Sequence, residues 1–148
     1  AQPYSVSKVF NADLSEIEKA TAFVDAEMEK AGADIKASNA IDIALDELMS
    51  NICKYGYPDK RKGEIRITFF LTDDPRAIYL NFFDNGIPYN PLKQKDPNTE
   101  LSAEERDIGG LGIYLVKKSM DDMFYEYKNG QNVLQIKKNL ADTTNDKD

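Results

Sequence analysis

Histidine and tryptophan are absent from this chain, and cysteine occurs once, at Cys53. A disulfide framework, a Cys/His zinc cluster, a Cys/His dyad and a histidine general base are thereby excluded. Basic residues are in deficit: 19 Lys and Arg against 26 Asp and Glu leave a net charge of −7. That field repels polyanions, so no nucleic-acid partner is expected, although a local phosphate site can exist against it. No run approaches the roughly 20 apolar residues that span a bilayer. The opening AQPYSVSKVF lacks the basic start and apolar core of a signal peptide. The expectation is a cytoplasmic protein with no membrane anchor, in which Cys53 is a reduced, small hydrophobe.

What is present fits one domain with a real core, since 41% of 148 residues are hydrophobic. We assign the domain to residues 1–140 and a flexible polar tail to 141–148. Tyr4–Asn11 alternates loosely and reads as a first strand. Asp13 or Ser15 then offers a helix N-cap, and Leu14, Ile17, Thr21, Val24 and Met28 recur at helical spacing until Gly32. Asp34 opens a second helix. EIRITFFL at Glu64–Leu71 and AIYLNFFD at Ala77–Asp84 alternate as two strands of an antiparallel hairpin, turning at Asp73–Arg76. Residues 85–108 hold three prolines and little periodicity, apart from a short helical turn expected at Leu101–Arg106. A loop of that length is expected to work as a lid. Gly109–Gly110–Leu111–Gly112 reads as a glycine-rich turn feeding a helix that carries Ile113, Leu115, Val116 and Met120. Asp122–Lys128 and Asn132–Lys138 flank Asn129–Gly130 as a closing hairpin. The order predicts an α+β fold: a two-layer α/β sandwich with helices packed on one face of a mostly antiparallel sheet.

The stretch DIALDELMSNICKYGYP at Asp42–Pro58 places Glu47 and Asn51 four residues apart, so both side chains leave one helix face. At about 100° per residue, Leu45, Leu48 and Ile52 fall roughly opposite Glu47, with Asn51 and Ala44 beside it. Taken alone, such a pair is more often a solvated face than a site. Likewise Asp84–Asn85–Gly86 alone is a turn, and the glycine run alone is as readily a packing helix.

In order, however, an E-x-x-x-N helix, a D-x-G-x-P turn after a strand and a G-x-G opening a helix resemble the N, G1 and G2 boxes of the GHKL (Bergerat-fold) ATP-binding superfamily. That superfamily includes DNA gyrase, large heat-shock chaperones, histidine kinases and mismatch-repair ATPases. The phrasing DNGIPYNP and GGLGIYLVKKSMD is most similar to stand-alone anti-sigma-factor serine/threonine kinases of bacterial partner switching. The resemblance implies ATP and Mg²⁺, with Asn51 as metal ligand and Glu47 near the γ-phosphate as the base. It implies that Asp84 binds the adenine amino group and that Gly86 lets the backbone approach the base. Gly109 would hinge a lid at about 86–109, Gly110 and Gly112 would offer N–H groups to phosphate, and Arg106 would contact phosphate. Tyr55 stands where a His is common, and Gln135 where a Thr often approaches the nucleotide. The implied function is transfer of the γ-phosphate to a Ser/Thr of a small regulatory protein, with sequestration of a sigma factor or similar partner. The alternatives are an ATP-dependent binding switch without phosphotransfer and a slow ATPase. Related kinases pair through their sheets, so a homodimer is also implied.

Overall fold

The computed structural model describes residues 2–58, 62–93 and 108–141, with the backbone alone for 108–111. Most of the expected lid, its Leu101–Arg106 turn, Arg106 itself and the tail past Ala141 lie outside the described residues. Five strands, β1 (Tyr4–Asn11), β2 (Glu64–Asp73), β3 (Arg76–Asp84), β4 (Asp122–Lys128) and β5 (Gln131–Asn139), form one sheet. Its order is β1-β2-β3-β5-β4 and every neighbour is antiparallel. Three helices, α1 (Ile17–Lys30), α2 (Ile35–Asn51) and α3 (Ile108–Ser119), share a single core with one face of that sheet.

Strand alternation decides which face is covered. In the β2–β3 register Ile67 lies opposite Phe82 and Phe69 opposite Leu80, and all four are fully buried. A one-residue slip would turn that whole set to water, so the pattern enforces the pairing. Each such side chain contributes about 1.5–3 kcal/mol by burial. On the opposite face Phe70 stays 42% exposed. At the closing hairpin Asn129 (φ 55°) and Gly130 (φ 74°) are both left-handed, which the Asn-Gly pair tolerates and a two-residue turn requires.

Helices α1 and α2 begin at the expected caps, with one shift. Asp13 Oδ1 accepts the Ser15 N–H at 3.0 Å, but it opens a 3₁₀ turn at Leu14–Glu16 and α1 starts only at Ile17. At three residues per turn Leu14 rotates off the apolar stripe and is exposed, while Ala20, Val24 and Met28 are buried. Gly32 (φ 74°) follows the end of α1. Asp34 caps α2 by accepting the Ala37 N–H at 2.8 Å, and Ile41, Leu45, Leu48 and Met49 pack inward. Beyond α2, burial pushes the Cys53 thiol up to about 11, which suits an inert, small apolar residue. No helix among the described residues is long and apolar enough to cross a membrane.

Asp42 on α2 and Asp25 on α1 line one groove of about 550 Å³. Burial, and then the hydrogen bond and charge of Asp25, push the Asp42 carboxyl up to about 7. The folded chain therefore holds a proton that the unfolded chain releases near pH 4, so stability falls as pH rises towards 7 and is level above it. Asp42→Asn is expected to stabilise the protein near pH 8 by about 1 kcal/mol, discounted for solvent screening, and to have no effect near pH 4. Urea unfolding at the two pH values checks this.

Candidate functional site

The last turns of α2 bring Glu47 and Asn51 together. Asn51 is buried, Glu47 half-buried and the neighbouring Asp46 exposed. Asn51 Nδ2 donates to Glu47 Oε2 at 2.9 Å. The bond settles the amide's orientation, because an amide oxygen facing a carboxylate would be repelled. Asn51 Oδ1 therefore points away from Glu47.

After Asn51 the helix does not stop but widens into a π-turn, Ile52–Gly56. Single π-turns of this kind break the i→i−4 ladder and redirect carbonyls. Here the Gly56 carbonyl accepts the Ile87 N–H at 2.8 Å. Gly86 rides directly over it: a Cβ on Gly86 would lie 2.3 Å from the Gly56 oxygen and 3.0 Å from Asp84 Oδ1. The approach of two backbones thus demands glycine at 86.

Asp84, the last residue of β3, is 4% exposed. Its Oδ1 accepts the Gly86 N–H at 2.8 Å and Asn132 Nδ2 at 3.0 Å. Asn132 also donates to the Ile87 carbonyl at 2.9 Å, while its Oδ1 accepts the Tyr89 N–H at 3.1 Å and the Tyr125 hydroxyl. Burial raises the Tyr125 phenol above its ordinary range. A buried carboxylate needs such partners to stay in place. The sequence reading missed Asn132, counting it only as the start of a strand. Its one signal is the register, which sets it directly opposite Asp84. The Tyr55 ring packs at a tilt against Tyr89, centroids 5.5 Å apart, tying the π-turn to the same loop.

The glycine run departs from its expected form. α3 begins at Ile108, so Gly109, Gly110 and Gly112 lie inside its first turns rather than in a turn ahead of it. Contact with α2 carries the helix through residues of low helical propensity. The first four N–H groups of an α-helix lack intrahelical partners, and these include Gly109 and Gly110. Gly112 does something else: a Cβ there would lie 2.3 Å from Glu47 Oε1 and 2.4 Å from Oε2. Its missing side chain lets the α3 backbone close on that carboxylate.

Glu47, Asn51 and Gly112 are thus in one contact cluster. Asp84 and Gly86 form a second cluster around Gly56, where a Cβ would be 3.9 Å from Asp84 Oδ1, and Gly56 closes the π-turn that directly continues α2 beyond Asn51. Arg106 lies outside the described residues. Gln135 is part of neither cluster, because strand alternation puts it on the sheet's other face from Asn132 and Asp84, where its Nε2 donates to Asn81 Oδ1 at 2.8 Å. The carboxylate–amide pair thus meets the first turns of α3, while the buried carboxylate at the end of β3 is held beside the π-turn that continues α2.

Known proteins resemble this chain in sequence and in fold. A serine-protein kinase RsbW of Listeria monocytogenes is 28% identical over 112 residues, covering 73% of this chain and 70% of that protein. RsbW of Bacillus cereus is 35% identical over 99 residues, covering 64% and 60%. The serine/threonine-protein kinase BtrW of Bordetella bronchiseptica is 26% identical over 101 residues, covering 68% and 70%. Among solved structures, the RsbU and RsbW domains of a Mycobacterium tuberculosis protein match with a TM-score of 0.66 at 16% identity. That match covers 93% of this chain, which spans about a third (32%) of the solved one, and it speaks for the fold alone. Residues 10–138 match the profile described as "Histidine kinase-like ATPase domain", and with most of its length matched this chain belongs to that family.

Proposed function

We propose that the chain is an ATP-dependent serine/threonine protein kinase that phosphorylates a small regulatory protein and sequesters a sigma factor or similar partner in the cytoplasm. The observation that carries this is the packing of Gly112 on Glu47, with Glu47 bonded to Asn51, in a chain whose relatives are serine-protein kinases. Asp84, held by Gly86 and Asn132, would accept the adenine amino group. Asn51, its Oδ1 turned away from Glu47, fits a single hard ligand to Mg²⁺, an ion that keeps several waters and leans on phosphate oxygens. The ion would supply charge neutralisation across the phosphates. Gly109 and Gly110 N–H groups at the positive end of α3 would meet phosphate, with Arg106 a further phosphate contact.

Glu47 would take the proton from the attacking serine or threonine hydroxyl as its oxygen bonds the γ-phosphorus and the bond to the β-phosphate oxygen breaks, releasing ADP. Positioning supplies most of the acceleration. Two copies would pair through the sheet, whose open face exposes Phe70 and Phe124. The test is transfer of labelled γ-phosphate from ATP·Mg²⁺ to the regulatory protein encoded beside this chain. ATP binding without transfer would instead mark a nucleotide-dependent switch.

Gly112→Ala separates site from scaffold. The added methyl meets the movable end of Glu47, and alanine is about 1 kcal/mol better than glycine within a helix. Thermal stability is expected to hold or rise. Transfer should fall about 10- to 100-fold as the carboxylate is pushed from its place. Parallel melting and initial-rate measurements read the two effects.

A further inference from the structure

The opposite end of β3 and of α2 carries a second polar constellation. Arg76 opens β3 eight residues before Asp84, about 27 Å along the strand. It is 7% exposed. Its Nη1 donates to the Ala141 carbonyl at 2.5 Å and its Nη2 to the Ala31 carbonyl, while Nε meets no acceptor among the described residues. Both acceptors are neutral, and no described carboxylate lies within ion-pair distance of the guanidinium. A cation removed from water without a counter-charge is costly, so such groups are paired.

Arg76 forms part of the wall of an open pocket of about 300 Å³ that also includes Lys36, Ala37, Lys138 and the Gly32–Asp34 turn. The 17-residue α2 begins there, adding the positive end of its dipole. Lys138 Nζ gives one hydrogen to the Ser119 carbonyl at 2.8 Å, leaving two. Among the described residues of the lining Asp34 is the one acid, and its Oδ1 is engaged by the Ala37 N–H. Three cations against one acid thus meet in a chain whose net charge is −7. We infer that this pocket is a binding site for a phosphate-class oxyanion, separate from the nucleotide region and facing Arg76, Lys36 and Lys138.

Amide NMR of the ¹⁵N-labelled full chain tests the assignment, with inorganic phosphate and O-phosphoserine titrated separately at fixed ionic strength, with and without saturating ADP. Saturable shifts of Gly32, Lys36, Ala37 and Ala141, with a dissociation constant on the order of 1 mM and indifferent to ADP, are expected. The tighter of the two probes tells a free from an esterified phosphate. Arg76→Met should abolish the shifts. Where that variant does not fold, the surface pair Lys36→Ala with Lys138→Ala carries the test and should weaken binding roughly tenfold. Shifts that stay linear, that chloride reproduces at the same ionic strength, or that survive within twofold in the double variant would overturn the site.

Discussion

Glu47→Ala is expected to lower phosphotransfer by about 10²–10⁴-fold, the usual worth of a positioned base, while ATP affinity changes little. Alanine removes both the proton acceptor and the partner of Asn51 Nδ2, so the variant alone confounds two roles. Glu47→Gln separates them. A glutamine oxygen still accepts from Asn51 and still fits beneath Gly112, yet it is no base at neutral pH. If Glu47 is the base, both variants lose transfer to a similar extent. If it serves only to orient Asn51, Glu47→Gln retains most of the rate. Rates with radiolabelled ATP, beside calorimetric ATP binding, distinguish the outcomes, and full transfer by both variants would remove Glu47 from the chemistry.

Gly86→Ala should damage stability and nucleotide binding together. The new methyl would meet the Gly56 carbonyl at 2.3 Å and its carbon at 2.9 Å, and this neighbour is backbone, not a side chain able to swing aside. Relief requires the loop to lift, breaking the Ile87–Gly56 bond and the Gly86 N–H bond to Asp84. Overpacking of this kind costs about 1–3 kcal/mol, or a melting point lower by roughly 3–10 °C at this size. ATP affinity should fall at least about tenfold, because the carboxylate that would read adenine loses its anchor. Asp84→Asn isolates that last step: its amide oxygen can still accept from Gly86, so melting should change less while ATP affinity drops about as far. Unchanged affinity in both variants would move the nucleotide elsewhere.

Much of the fold was legible in local pattern. Period-two alternation in EIRITFFL and AIYLNFFD located the central hairpin, Asn129–Gly130 located the closing one, and Asp34 marked the start of α2. These signals are carried by residues within a turn or a strand of each other, where sterics and hydrogen bonding act directly on the chain. The Glu47/Asn51 pair was legible for the same reason, since four residues make one helical turn. Leu14 misled because a 3₁₀ turn and an α-turn offer the same capping residue. The glycines misled because packing on α2 outweighs their poor helical propensity.

By itself, then, the sequence determined the strands, the helix caps, the α+β class and the spacing that puts a carboxylate one turn from an amide. Only the tertiary structure decided that Gly112 lies on Glu47, that Gly86 crosses Gly56, that Asn132 anchors Asp84, and that Arg76 is buried with no carboxylate of the described residues in ion-pair distance. Residues 112 and 47 are 65 apart in the chain, and 132 and 84 are 48 apart. No local periodicity reports such contacts, which form only when the sheet register and the helix packing have closed the core around them.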